Sequence, residues 1–172
     1  RLVVRGGGEN SIIIKGNSEI NIKIVARVDG TVRVYNEAGI EIGEVIVDGA
    51  NDVILEGNFT NITILAPNVN VYAVDATINT STISGQNSKL VVREGSTIEK
   101  IIIEASGVKV EGNGTVENVE VKSGGNNSII TTPNTSIVVT EGVSGVKGTG
   151  NVVIESGVEY KNGETTTQPA EP

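Results

Sequence analysis

Short segments in which apolar and polar residues alternate recur along most of the chain. One set of these segments begins at seven positions: Val45, Ile62, Thr82, Ile101, Val119, Ile137 and Val152. Successive starts are 17, 20, 19, 18, 18 and 15 residues apart. Alternation of this kind predicts β-strands, and a nearly constant period predicts a repeat protein whose units stack on one another.

Several repeats contain one or two further short apolar segments. The second set lies about eight residues after the first, at 53–55, 71–73, 90–92, 108–110 and 128–130, and a third, shorter set lies at 59–61, 77–79, 97–99 and 115–117. One such unit cannot bury its own apolar side chains and gains stability only by stacking. Three short strands in about 18 residues therefore predict a parallel β-helix, in which Val119 and Val121 point inward and Glu120 points outward.

Glycines support one hand of the helix. They follow predicted strand ends, where tight corners favour a positive φ or a close backbone approach; these are Gly49, Gly57, Gly95, Gly107, Gly112 and Gly142. A left-handed hexapeptide helix needs an aliphatic residue at every sixth position, and from Ile101 that register lands on Gly107 and Asn113. The pattern predicts an all-β chain that forms a right-handed parallel β-helix.

The period does not extend to the two ends of the chain. Residues 20–28, 31–35 and 40–45 alternate over longer segments, joined at Asp29-Gly30 and at 37–39. Solenoids need atypical end units to shield their strand edges, so we assign 1–44 to a β-rich N-terminal cap with the first rungs. The parallel β-helix then covers 45–160. Residues 161–172 are rich in Thr, Gln, Pro and Glu, which predicts a flexible linker.

Composition removes many kinds of chemistry. The chain has no His and no Cys, which excludes imidazole bases, thiolate nucleophiles and the usual zinc sites. A net charge of −8 with only 13 Lys and Arg residues argues against a nucleic-acid partner. No apolar run approaches the roughly 20 residues that a membrane span requires.

One turn carries a candidate metal site. Asp48, Asn51 and Asp52 lie between two predicted strands, and their oxygen atoms could together bind a calcium ion. The alternative is that Asp and Asn serve there as ordinary turn residues. We expect no required cofactor, with calcium as the one candidate ligand.

Equivalent positions on successive rungs form columns of outward side chains. Along the first strand the predicted outward column is Ile46, Thr63, Ile83, Ile102, Glu120, Val138 and Val153. Along the second strand it is Ile54, Tyr72, Val91, Lys109, Ile129 and Lys147. Aromatic rings stack on the apolar faces of sugars, and polar side chains such as lysine bind the sugar hydroxyls. Tyr72, Lys109 and Lys147 are therefore the candidate carbohydrate-binding residues. The alternative is that Tyr72 only covers its aliphatic neighbours.

The residue pattern of several rungs resembles that of a known family. Residues 55–64, 66–71, 131–136 and 142–150 resemble the pectate-lyase-like β-helix modules of Gram-positive surface proteins, over roughly 45–160. Such modules occur beside surface-layer-homology domains, and some in surface glycanases are classed as carbohydrate-binding modules. The resemblance implies a secreted, non-catalytic module at the cell surface, whose partners are adjacent modules of the parent protein and a polysaccharide such as β-glucan, xylan, chitin or cell wall.

Two other functions remain open from the sequence. A structural spacer or cell-wall adhesion module would have no glycan site of its own, and the low aromatic content favours it. A degenerate polysaccharide lyase would need clustered carboxylates or a calcium site beside a basic residue, but the chain has only Asp29, Asp48, Asp52 and Asp75. No acidic pair recurs with a base on adjacent rungs, so we expect no enzymatic activity.

Overall fold

The computed structural model describes residues 2–5, 12–15, 20–25, 30–37, 42–49 and 52–163. Fourteen β-strands lie in this part of the chain: β1 (Leu2–Val4), β2 (Ile12–Ile14), β3 (Asn21–Ile24), β4 (Val32–Asn36), β5 (Ile42–Val47), β6 (Val53–Ile64), β7 (Asn70–Ile83), β8 (Lys89–Val92), β9 (Thr97–Ile103), β10 (Lys109–Glu111), β11 (Thr115–Val121), β12 (Ile129–Ile130), β13 (Ser136–Val139) and β14 (Glu159–Lys161). A short 3₁₀ turn covers Thr149–Asn151.

The strands wind into a parallel β-solenoid with two faces. The back face consists of β1, β3, β5, the second half of β6, the second half of β7, β9, β11 and β13. The front face consists of β2, β4, the first half of β6, the first half of β7, β8, β10 and β12. All of these pairs are parallel, which confirms the predicted β-helix, with turns of roughly 19 residues.

The first strands are part of the same stack. β3 pairs in parallel with β1 and β5 on the back face, while β4 pairs in parallel with β2 and β6 on the front face. Register partners Ile24 and Val47 are 23 residues apart, whereas Val47 and Ile64 are 17 apart. The described part of 1–44 therefore consists of longer and less regular turns.

Alternating side chains fill the interior. β-Branched and other apolar residues on both faces point inward, and Phe59 is the largest of the fully buried side chains. The predicted phase is wrong at Thr82, because Ser81 and Ile83 are buried and Thr82 faces outward. Val153 is also not in the predicted column, because it forms an antiparallel bridge with Lys147. The outward back column therefore reads Ile46, Thr63, Thr82, Ile102, Glu120 and Val138. The predicted third strand is also not separate, since it continues directly into the back strand in β6, β7, β9 and β11.

One corner shows how the chain turns from the back face to the front face. Its column contains residues in the left-handed region on five successive turns: Asn68, Asn87, Gly107, Asn127 and Gly145. Asn tolerates this conformation better than most residues, and Gly adopts it without a Cβ clash. A Cβ at Gly107 would lie 2.3 Å from Oδ1 of Asn87 on the preceding turn. A larger residue at position 107 would therefore have to displace the Asn87 side chain, in addition to adopting the left-handed conformation.

The C-terminal end of the solenoid is closed by an antiparallel strand. β14 pairs with β13, so that Tyr160 lies opposite Ile137. The buried Asn162 side chain donates to the carbonyl oxygens of Ile130 and Thr132 at 2.9 and 3.0 Å and accepts from the Thr149 backbone at 3.0 Å. Lys161 belongs to this strand, although the sequence placed it in the linker; residues 164–172 of that linker lie outside the described residues.

Candidate functional site

Two columns of outward side chains run along the front face. The tyrosine column contains Arg33, Ile54, Tyr72, Val91 and Glu111. The lysine column contains Asn70, Lys89, Lys109, Ile129 and Lys147. Neighbouring turns are about 4.8 Å apart and the two columns about 6.6 Å apart, as the spacing of a β-sheet dictates.

Tyr72 lies in the middle of this surface. Its ring is half-buried between Ile54 and Val91 of the tyrosine column. The Arg93 guanidinium lies over the ring, 5.5 Å from its centroid. A cation in this position is attracted by the ring's negative face and favours a fixed orientation of both side chains. The site therefore presents an oriented aromatic ring beside guanidinium N–H donors.

The register corrects one part of the predicted site. Lys109 lies in register with Lys89 and Ile129. The column of Tyr72 continues instead through Val91 to Glu111. The sequence placed Tyr72 and Lys109 in one column because a slip of two residues on β10 keeps the same inward and outward alternation. Lys147 does share a column with Lys109, two turns further along. The three predicted residues thus lie on one face, in two adjacent columns.

A second arginine–tyrosine contact involves residues that the sequence analysis did not single out. The Arg33 guanidinium lies over the Tyr35 ring, 4.9 Å from its centroid, and Arg33 also pairs with Glu56 on the next turn. Arg33 and Tyr35 are two residues apart on β4, so period-2 alternation already puts them on one side of the strand. Tyr72 lies on β7 and Arg93 directly follows β8. The contact between these two residues can therefore be seen only from the register of the two strands.

The predicted metal ligands are engaged with protein partners. The Asp48 carboxylate lies 2.6 Å from Nζ of Lys23. The Asp52 carboxylate accepts hydrogen bonds from the Asn70 backbone at 3.2 Å and from its side chain at 3.1 Å. Asn51 lies outside the described residues. Within the described ranges, no three His, Cys, Asp or Glu side chains form a group that could hold a metal ion.

The back face has a shallow groove of about 370 Å³ near the C-terminal turns. Its lining is Glu99, Lys100, Asn118, Val119, Glu120, Ser136 and Val138. Nζ of Lys100 lies 2.9 Å from the Glu120 carboxylate across the groove. The hydrogen bond from Lys100 holds the pKa of Glu120 below its ordinary value of 4.5, against the opposing effect of burial. Two of the three charged side chains that line the groove, Lys100 and Glu120, are therefore paired with each other.

Comparison of the chain with family models, with curated proteins and with solved structures finds no match. The described residues contain no helix that is long and apolar enough to cross a bilayer. The fold is therefore established by strand pairing alone. The family resemblance and the role of the front face remain predictions.

Proposed function

We propose that this chain is a non-catalytic polysaccharide-binding module of an extracellular bacterial surface protein or glycanase. The observation that supports this most is the half-buried Tyr72 ring, with Arg93 over it and a polar column beside it. Aromatic rings supply apolar contact area at a low entropy cost, and the neighbouring amide and ammonium groups can bind hydroxyls. The proposed location at the cell surface rests on the sequence resemblance alone.

The regular spacing of the front face suits an extended polymer. Each turn repeats the outward positions after about 4.8 Å, which is close to the length of one sugar in an extended polysaccharide. A polymer lying parallel to the solenoid axis would therefore meet equivalent positions at successive sugars. Many weak contacts of this kind add up to a useful affinity without a deep pocket.

The direct experiment is a pull-down of the chain on insoluble β-glucan, xylan, chitin and purified cell wall. We expect retention on at least one polymer and a clear reduction with Tyr72→Ala. Thr82→Ala, which removes an outward side chain on the back face, is the matched control and should be retained like the original chain. Loss of binding in both variants, or in neither, would contradict the proposed face.

Calcium enters the same experiment as a variable. Lys23 competes with a cation for Asp48, and Asn70 already binds Asp52. We propose that calcium is not needed for retention, so addition of a chelator should leave the retained fraction unchanged. A chelator-sensitive retention that Asp52→Asn also abolishes would instead assign a binding role to the metal.

The alternative function is a structural spacer without its own glycan site. It is favoured by ion pairs that link successive turns, such as Lys15 with Glu37 at 3.1 Å and Lys89 with Glu111 at 3.1 Å. Exposed pairs of this kind contribute little individually but resist separation of the turns together. No retention on any polymer in the pull-down would make the spacer the better account.

A further inference from the structure

The lysine column adds a charge pattern to the front face that the proposed function does not require. Lys89, Lys109 and Lys147 all point outward on the same side of the sheet. Lys109 and Lys147 are two turns apart, which corresponds to roughly 9.6 Å. The whole chain carries a net charge of −8, so this column stands out as a basic surface.

The lysines of the lysine column differ in whether they form an ion pair. Lys89 pairs with Glu111 of the tyrosine column at 3.1 Å. Among the ion pairs of the described residues, none includes Lys109 or Lys147. On the back face, by contrast, Lys100 is paired with Glu120 in the groove. The front face therefore offers two ammonium groups to a ligand, while the groove offers a closed ion pair.

We propose that the ligand of the front face is a negatively charged polysaccharide whose anionic groups meet Lys109 and Lys147. This inference rests on the proposed function and specifies the class of its ligand. The polymer lies along the lysine column, with one sugar against the part of the Tyr72 ring that stays exposed beside Arg93 in the adjacent column. Because the remainder of the chain is acidic, a polyanion is repelled from other surfaces and guided to this one.

The test compares three soluble cellulose derivatives by titration calorimetry at low salt. Hydroxyethyl-cellulose is neutral, carboxymethyl-cellulose carries carboxylates and cellulose sulfate carries sulfate groups, so the backbone is constant while the charge varies. We expect at least one charged derivative to bind about tenfold more tightly than the neutral one, and added salt to remove this difference. The better of the two charged derivatives identifies the preferred anionic group.

Variants locate the effect on the lysine column. The double variant Lys109→Gln with Lys147→Gln should weaken binding of the charged derivative by roughly five- to tenfold. Lys122→Gln, which removes a cation from the column of Glu104 outside the front face, is the matched control and should not change it. Glu111→Gln releases Lys89 from its partner and should strengthen binding by about twofold.

Three results would overturn the inference. Equal binding of neutral and charged derivatives would reject the charge requirement but leave the proposed function in place. Equally tight binding of poly-L-glutamate would show general ion exchange. Retention on insoluble polymers that depends on Tyr72 but not on Lys109 and Lys147, with no binding of either charged derivative, would assign a neutral ligand. Failure of the proposed function itself is distinct, because no insoluble polymer would then retain the chain.

Discussion

The front and back faces have the same kind of interior and very different exteriors. Inward residues on both faces are mostly β-branched and fully buried, as with Val71 on the front and Ile101 on the back. Outside, the front face carries the Tyr72 ring under Arg93 and two lysines that form no ion pair within the described ranges, whereas the groove on the back face is crossed by Lys100 and Glu120. The inward positions and corners therefore determine the fold, and the outward columns are free to carry function.

The largest expected effect on stability comes from a substitution at a corner of the solenoid, because both faces depend on the corners. Gly112 forms a corner with φ +113°, and a Cβ there would lie 2.1 Å from the Val92 carbonyl oxygen. Gly112→Ala should lower the free energy of unfolding by about 2–5 kcal/mol, since left-handed strain adds to a backbone clash. Denaturant unfolding measures this loss, and glycan binding should weaken only as the folded fraction falls.

Gly142 provides the matched control for that substitution. It also has a positive φ, of +85°, but a Cβ at this position would meet no atom of the described residues within 4 Å beyond its immediate chain neighbours. Gly142→Ala should therefore cost only about 1–2 kcal/mol, the conformational part of the penalty. Equal losses in the two variants would show that the close approach of Gly112 to Val92 contributes nothing.

An intermediate effect distinguishes two buried serines, one on each face. Ser81 lies inside the back face, and its hydroxyl has no hydrogen-bond partner among the described residues, whereas Ser88 at the start of the front face donates to the Ala66 carbonyl at 2.8 Å. Ser81→Ala should raise the free energy of unfolding by about 1 kcal/mol, and Ser88→Ala should lower it by about 1 kcal/mol. Thermal unfolding of both variants tests the sign, and a loss at Ser81 would contradict the assignment.

The smallest effect concerns the ion pair in the back groove. Because Lys100 lowers the pKa of Glu120 in the folded chain, the pair stabilises the fold above the ordinary carboxyl pKa, and this contribution disappears as the pH falls through the lowered value. Glu120→Gln should cost about 0.2–1 kcal/mol at neutral pH and nothing in strong acid. Glu141→Gln, at an exposed turn, is the control, and a pH-independent difference for Glu120→Gln would exclude the ion pair as its cause.

Much of the fold could be predicted from the sequence because the same alternating pattern recurs on successive turns. Alternation around Val119 and Val121 and glycines such as Gly107 are local signals, and both agree with the structure. The prediction that Ile83 points outward is wrong because the segment starting at Thr82 was aligned one residue out of phase, and Ser81 and Ile83 are the buried positions. The hand of the helix stays a prediction.

The candidate site was harder to predict, because it depends on register between turns of unequal length. Tyr72 and Lys147 were assigned to the correct face by alternation alone. The column of Lys109 and Lys147 was predicted wrongly, because the partner of Val91 on β10 is Glu111, 20 residues further on, and not Lys109, 18 residues further on. A two-residue change in turn length is absorbed at the corners and leaves the alternation unchanged, so no local pattern reports where it occurs.

The central claim is that the front face, and not the back face, binds a polysaccharide. Backbone amide chemical shifts, recorded while a soluble oligosaccharide of the retained polymer is added, test it residue by residue. The account predicts that shifts concentrate at Asn70, Tyr72, Lys89 and Lys109, with little change at Thr82 and Glu120. Shifts centred on the groove around Lys100 and Glu120, or none at saturating ligand, would contradict it.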